Sequence, residues 1–401
     1  ALTAETLGQF NVAIGRSALQ AQNNTTATDV YNVAVGYNAG AAVTTGSANT
    51  LVGGLAGDAL TTGADNTALG YNSLSAGVAS FYNTAIGKDA LASDTTGRHS
   101  VAVGRDALTA QNNTGSNDMH NVAVGSNAGA SVTTGIRNTL IGGQAGDALT
   151  DADKNTVVGQ GALSADTLGS LSTALGYDAL NVQNFTTATD SYNVAVGAFA
   201  GAAVTTGTLN TLVGGLSGDA ITTGTNDTAV GYASLSANQT GVNNTAVGSS
   251  ALAAVTADGN TAVGHAAGSG ISSGQYNTAI GLVAMTGHTY TGNFNTSIGY
   301  NANPTAATSA GQFTLGDTNV SNLRCNDTSI STLSDSRDKT DIIDSPYGLA
   351  FINTVRPVQY KWESRDGNVK DGSTRIGFLA QELLAATDGN NAILDLVLDE
   401  N

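Results

Sequence analysis

The chain has 401 residues, of which 51 are Gly, 3 are Pro and one is Cys, and only 11% are charged. Glycine at about twice its usual share of ~7% argues against a large helical core, and three prolines exclude a collagen triple helix. The net charge of −17 argues against a nucleic-acid binder, which needs a basic face. An apolar content of 41% is too high for a disordered chain, and a single cysteine excludes an intrachain disulfide.

A five-residue phrase recurs along most of the chain: a small polar residue, then Thr or Val, usually Ala, then Val, Ile or Leu, and finally Gly. It occurs 18 times, with a dominant step of 17 residues, and its first position is Asn in 14 cases. The closing glycines are Gly15, Gly36, Gly53, Gly70, Gly87, Gly104, Gly125, Gly142, Gly159, Gly176, Gly197, Gly214, Gly231, Gly248, Gly264, Gly281, Gly299 and Gly316. Such regularity predicts a repeat architecture.

The phrase is typical of a short strand ended by a turn, because β-branched residues favour strands and Gly favours turns. A second, weaker segment such as 41–46 predicts a second strand in each repeat. Stacked units of this size form a parallel β-solenoid or β-roll, and 18 rungs would span on the order of 86 Å. The recurrent Asn is expected to form a hydrogen-bonded ladder along the axis, and a turn-favouring Asn without a ladder is the alternative.

Three of the repeats are four residues longer than the usual step. Each of these 21-residue intervals contains Gln-Asn and ends in a similar block, at 29–32, 118–121 and 190–193. The extra residues predict loops that protrude on one side of the solenoid, where binding variety is expected. Neutral loop growth is an equal alternative.

The repeats offer mainly Ala and Val for a core, so each rung is expected to bury too little surface to be stable alone. We therefore predict an obligate homo-oligomer, with a trimer as the closed form of a fibre. The phrase Asn-x-Ala-Ile-Gly, as in 83–87, resembles the head repeats of trimeric autotransporter adhesins over about residues 11–316. That resemblance implies parallel β-rolls packed as trimers, although the step of 17 is longer than the family's repeat.

Residues 324–401 differ in composition, since they hold 8 of the 14 basic residues and the single Trp. The phrases at 334–342, 347–349, 356–362 and 376–383 resemble the intramolecular chaperone domain, of self-cleaving peptidase type, at the C-terminus of phage tail spikes and tail fibres. We predict three segments: a β-roll shaft at 1–316, a junction at 317–333, and a small α+β chaperone domain at 334–401. The family usually continues into a long C-terminal helix, so the natural chain is expected to be longer.

The resemblance implies two catalytic residues, the nucleophile Ser334 and its activating partner Lys339, with the scissile bond at Leu333-Ser334. A hydroxyl needs a nearby neutral amine to take its proton, and Arg337 is a candidate for keeping the lysine uncharged. Ser334 as the N-cap of a helix is the alternative. The resemblance further implies that the domain aligns three chains and then departs.

No cofactor and no metal site is predicted. The four histidines, His99, His120, His265 and His288, lie in different repeats without partners at ligand spacing, so we expect them to be surface residues. No apolar run is long enough for a membrane span.

The combination predicts a structural and receptor-binding tail fibre of a tailed phage, located in the virion tail and assembled in the host cytoplasm. Its expected partners are two further copies of the chain, other tail or baseplate proteins, and a host receptor that is a glycan or an outer-membrane component. At most it cleaves itself, and no external substrate is predicted. A bacterial trimeric surface adhesin and a depolymerase tail spike are the alternatives, and the latter fits poorly because the shaft is poor in aromatic residues.

Overall fold

The computed structural model describes residues 1–113, 115, 118–322, 353, 355–361, 374–379, 382 and 385. The chain divides into two units, Ala1–Leu323 and Arg324–Asn401. The first unit is a parallel β-solenoid of about 18 turns, here called coils, which confirms the predicted fold class. Within the described residues there is no helix long and apolar enough to cross a membrane.

Each of the 18 predicted phrases forms a three-residue strand, and these strands build one parallel ladder. The ladder consists of β2 (Val12–Ile14), β4 (Val33–Val35), β5 (Thr50–Val52), β6 (Thr67–Leu69), β7 (Thr84–Ile86), β8 (Val101–Val103), β9 (Val122–Val124), β10 (Thr139–Ile141), β11 (Thr156–Val158), β13 (Thr173–Leu175), β15 (Val194–Val196), β16 (Thr211–Val213), β17 (Thr228–Val230), β18 (Thr245–Val247), β19 (Thr261–Val263), β20 (Thr278–Ile280), β21 (Thr296–Ile298) and β22 (Phe313–Leu315). Pairing is in register, so that Thr50 lies opposite Thr67 and Leu51 opposite Ala68.

Two short parallel pairs lie beside this ladder, at two of the long repeats. They are formed by β1 (Gly8–Gln9) with β3 (Thr28–Asp29) and by β12 (Gly169–Ser170) with β14 (Thr189–Asp190). In the second unit, β23 (Val358–Tyr360) and β24 (Arg375–Gly377) form an antiparallel pair. The α+β fold of the C-terminal domain and the domain limits stay predictions.

The predicted second strand of each repeat is wrong. The segment 41–46 forms turns and bends. It is preceded by residues in the left-handed region, with φ of 57° at Asn38 and 59° at Gly40. Left-handed residues reverse the chain sharply and do not belong to extended strands. Each coil therefore has a single ladder strand, and turns close the rest of its circuit.

The closing glycine of every phrase but the last is required by close approach of the backbone. At Gly53 the φ angle is 138°, and an added Cβ would lie 2.3 Å from the carbonyl oxygen of Gly70 in the next coil. Only glycine has this freedom without strain. The next residue, Gly54, has no such constraint, because its nearest neighbour would be Tyr71 Cδ2 at 3.6 Å.

The core is larger than the sequence predicted. The central strand residue of each coil, such as Ala34 or Leu51, points inward, and many coils add a fully buried large aliphatic residue. That residue is either a Leu four positions after the closing glycine, as at Leu74, or a residue seven positions after it, as at Val43. In the second case the fourth position is Gly40, whose Cβ would meet Leu51 at 2.8 Å. The two positions thus compensate each other in volume, as close packing requires.

The predicted asparagine ladder is confirmed. We call the first residue of each phrase the ladder position. Asn49 Oδ1 accepts a hydrogen bond from the backbone N–H of Asn66 at 3.1 Å, and Asn49 Nδ2 donates to the carbonyl of Gly63 at 2.9 Å. Both asparagines are fully buried. The side chain therefore joins consecutive coils through its oxygen and closes a coil through its nitrogen, which satisfies buried backbone groups that water cannot reach.

Candidate functional site

The predicted catalytic pair cannot be placed in the fold. Ser334, Lys339, Arg337 and the bond at Leu333 lie outside the described residues, so their roles stay predictions.

Two of the phrases that carried the C-terminal resemblance do come together. Residues 356–362 contribute β23 and residues 376–383 contribute most of β24, and Gln359 pairs with Ile376. Beside this pair, Arg356 Nε donates to Glu382 Oε2 at 3.3 Å, and its terminal nitrogen binds the other carboxylate oxygen. The hydrogen bond and charge of Glu382 raise the pKa of Arg356, while the hydrogen bond from Arg356 lowers the pKa of Glu382. Two segments about twenty residues apart thus belong to one small folded element.

The first and the third of the long repeats extrude loops, as predicted, while part of the second lies outside the described residues. In the first, residues 25–29 are all exposed, and in the third, residues 186–188 and Asp190 are exposed. These two loops share the sequence Thr-Thr-Ala-Thr-Asp. Because the repeats are stacked in register, the loops leave the solenoid at equivalent positions of their coils. They are the natural candidates for a binding surface on the shaft, since loops carry most binding variety.

A relay of three polar side chains, all buried except the partly exposed Glu5, anchors each loop. In each relay a glutamine donates through Nε2 to an acid in the preceding coil and accepts through Oε1 from the ladder asparagine that follows the loop. The relays are Glu5–Gln22–Asn32 with distances of 2.7 and 2.9 Å, Asp94–Gln111–Asn121 with 3.2 and 2.9 Å, and Asp166–Gln183–Asn193 with 2.7 and 2.8 Å. The sequence reasoning missed the relays. The available signal was an acid 17 residues before each glutamine.

In two of the relays the glutamine also bonds a serine that takes the place of a ladder asparagine. The ladder position before the second and third loops is Ser100 or Ser172, which lacks the amide group of an asparagine. Ser172 Oγ contacts Ser191 Oγ of the next coil at 2.6 Å. Gln111 Nε2 donates to Ser100 Oγ at 3.0 Å, and Gln183 Nε2 donates to Ser172 Oγ at 2.9 Å. The glutamine therefore links the serine to the next ladder asparagine, and it does so in the coils that carry the longer repeats.

The relay acids have perturbed pKa values. Asp94 and Asp166 are fully buried, and burial raises the pKa of Asp94 to about 6 and also raises that of Asp166, against the hydrogen bonds that favour the charged forms. Burial also acts on Glu5, but hydrogen bonds from Gln22, Gly8 and Asn24 outweigh it and lower the pKa of Glu5 to about 2. Structural networks perturb the pKa values of acids as functional sites do, and here the hydrogen-bond partners of the acids are structural.

An exposed aromatic column runs beside the loops. It consists of residues that directly precede the ladder position, and we call it the loop-side column: Phe10, Tyr31, Tyr82, His99, His120, Tyr192, Tyr276 and Phe294. Neighbouring rings stack, with centroids 5.2 Å apart for Phe10 and Tyr31 and 5.1 Å apart for His99 and His120. The ring planes lie within 12° of each other in both pairs.

All four histidines are exposed, as predicted, and two of them are in contact with each other. His99 and His120 are neighbours in space, and His99 Nε2 lies 3.6 Å from Asp118 Oδ1. Both histidines occupy the same position of consecutive coils, which the 21 residues between them did not make evident in the sequence. Within the part of the chain that the structure describes, no group of three or more His, Cys, Asp or Glu residues could hold a metal ion.

Comparison with known proteins finds a similarity for one segment of the chain. Residues 334–392 match the family model of peptidase S74, described as chaperone of endosialidase. No curated protein and no solved structure was found to match the chain. The chain thus combines a parallel β-solenoid with a C-terminal segment similar to the endosialidase chaperone.

Proposed function

We propose that this chain is a trimeric tail fibre protein of a tailed phage, which uses its solenoid as a shaft and binds a receptor on the host surface. The observation that carries the proposal is the order of the two parts, a solenoid followed directly by a segment that matches the chaperone of endosialidase. That match implies trimer formation. In this function the shaft holds the exposed loops away from the particle, and the protein is part of the virion tail.

We further propose that the C-terminal domain removes itself after assembly. The family match begins at residue 334, the predicted nucleophile. Ser334 Oγ attacks the carbonyl carbon of Leu333 while neutral Lys339 takes the hydroxyl proton and passes it to the departing α-amine of Ser334. The product is an ester between Leu333 and Ser334 Oγ, and water hydrolyses it to a carboxylate and a hydroxyl. Cleavage leaves a trimer that is held kinetically, because the element that aligned the chains is gone.

Two measurements on the full chain test this function. Light scattering under native conditions is expected to give the mass of a trimer, and unheated gels are expected to show an SDS-resistant band. Intact mass and N-terminal sequencing are expected to show a fragment that begins at Ser334 and is absent in Ser334→Ala and Lys339→Ala. A monomer would refute the fibre, whereas an uncleaved wild-type trimer would refute only the cleavage.

A further inference from the structure

The outward side of the strand ladder has no charged residue. In every ladder strand the first and third side chains point outward and the second points inward. The first positions hold Thr or Val except for Phe313, and all 18 third positions hold Val, Ile or Leu. A chain with 31 acidic and 14 basic residues thus keeps 36 outward positions free of charge. We call these positions together the strand face.

The third positions form an exposed aliphatic column along the whole ladder. Nine of its members are between 36% and 59% exposed, among them Ile14, Leu69 and Leu175. Monomeric soluble proteins rarely expose apolar patches of more than a few hundred Å². Surfaces of this size that stay apolar normally contact another molecule.

Tyrosines extend this column at one edge. Tyr37, Tyr71, Tyr177, Tyr232 and Tyr300 directly follow a closing glycine, and we call them the glycine-side tyrosines. At the end of the ladder Tyr300 lines one groove together with Ile298 and Leu315, two members of the aliphatic column. At this end of the ladder a glycine-side tyrosine and the aliphatic column therefore share one surface.

We propose that the strand face and the glycine-side tyrosines form the surface through which copies of this chain pack against each other. The partner is a second copy, aligned in parallel, because only a partner with the same coil spacing can cover an apolar column that repeats over 18 strands. Each copy carries a net charge of −17, so association requires a face without acids. The inference rests on the proposed function only for the number of copies.

The available area suffices for a stable interface. The aliphatic column offers on the order of 500 Å² per copy if each side chain of ~60–120 Å² is about one-third exposed, and half-exposed tyrosines of ~150–250 Å² add several hundred Å². A standard interface needs about 800 Å² per partner. The opposite edge of the strand face is less suitable, because the extruded loops emerge beside the loop-side column and would hold a flat partner away.

The tyrosines provide an internal test in the unmodified full chain. In the single chain Tyr37, Tyr71, Tyr177 and Tyr232 are 48% to 61% exposed, and the loop-side tyrosines Tyr31, Tyr82, Tyr192 and Tyr276 are 52% to 55% exposed. Hydroxyl-radical footprinting of the assembled protein is expected to label the glycine-side set at least about threefold more slowly, since interface cores exclude solvent. Equal labelling of both sets in a trimer would overturn the proposed face and leave the proposed function standing. A monomeric mass would overturn both the proposed face and the proposed function.

Matched substitutions provide the second test. Leu69→Asp with Leu175→Asp places two acids in the aliphatic column, where the wild-type residues are 46% and 44% exposed. The control is Val78→Asp with Val182→Asp, because these valines are 43% and 39% exposed but lie outside the strand face. We expect the first variant to lose the trimer in light scattering and the control to keep it. Loss of the trimer in both, or in neither, would overturn the proposed interface.

Discussion

A buried acid in the asparagine ladder makes the shaft sensitive to pH. Asp227 occupies a ladder position and is fully buried. It accepts hydrogen bonds from the backbone N–H of Asn244 at 2.8 Å and from Asn238 Nδ2 at 2.9 Å. Burial and, to a smaller extent, the charge of Asp258 in the next coil raise the pKa of Asp227 to about 7, against these hydrogen bonds.

The direction of the pH effect follows from this raised pKa. The folded chain favours the protonated form of Asp227. The contribution of this proton to the free energy of unfolding is complete below the usual pKa of 3.8 and is lost as the pH rises through about 7. At about 1.4 kcal/mol for each tenfold change in acidity, the full difference is about 4 kcal/mol. Most of it, about 3 kcal/mol or more, is lost between pH 4 and pH 8.

A double substitution removes the acid while it keeps the ladder. In the flanking coils the position equivalent to Asn238 is Ile221 or Val255, and the ladder residue Asn210 donates to Gly224. Asp227→Asn with Asn238→Val restores this pattern, and the new amide can donate to Gly241. We expect the variant to unfold at higher guanidinium concentration than wild type at pH 8, and to lose about 3 kcal/mol less stability between pH 4 and pH 8.

The assay is guanidinium unfolding of the full chain, followed by far-UV circular dichroism at both pH values. Part of the pH dependence is expected to remain, because burial also raises the pKa values of Asp94 and Asp166. The control is Asp65→Asn, since Asp65 is exposed. The reasoning is refuted if the double variant and wild type show the same change in stability with pH.

Two further substitutions test the shaft itself. Asn138→Ala removes the partner of the buried N–H of Asn155, now at 2.9 Å, and of the carbonyl of Ala152, now at 2.7 Å, so we expect the unfolding free energy to fall by about 2–4 kcal/mol. The control is Gln239→Ala, which should change the unfolding free energy little because Gln239 is exposed. Similar losses in both variants would contradict the role of the ladder. Gly53→Ala places a Cβ 2.3 Å from the carbonyl oxygen of Gly70, and thermal unfolding is expected to show a loss of at least about 3 kcal/mol. Gly54→Ala is its matched control, and equal melting temperatures would show that the coils can separate without cost.

The periodic features of the shaft could be read from the sequence. A phrase repeated 18 times predicts its own strand, its turn glycine and its asparagine ladder, because each of these is a property of one repeat stacked on an identical neighbour. The protruding loops were predictable for the same reason, since four extra residues in a stacked unit must leave the stack.

The predictions that failed concern contacts between different positions of a coil. The segment 41–46 resembles a strand locally, but left-handed residues before it turn the chain, and their conformation depends on packing against the adjacent coils. The core was predicted as Ala and Val because the repeated phrase contains them. The large aliphatic residue of a coil lies instead at one of two other positions, as at Leu74 or Val43. That these two positions replace each other is visible only in the structure, where both face the same interior.

The sequence by itself determined the parallel β-solenoid, the place of its ladder strands and the resemblance of the C-terminal segment, because these follow from a local pattern and its period. Only the tertiary structure showed that Asp94 and Gln111 share one relay across coils, that His99 and His120 stack, and that the charge-free positions form one face. The physical reason is that one turn of a solenoid brings residues 16 to 21 positions apart into contact. Burial and hydrogen bonding act across that distance, and linear spacing alone does not specify which side chains meet.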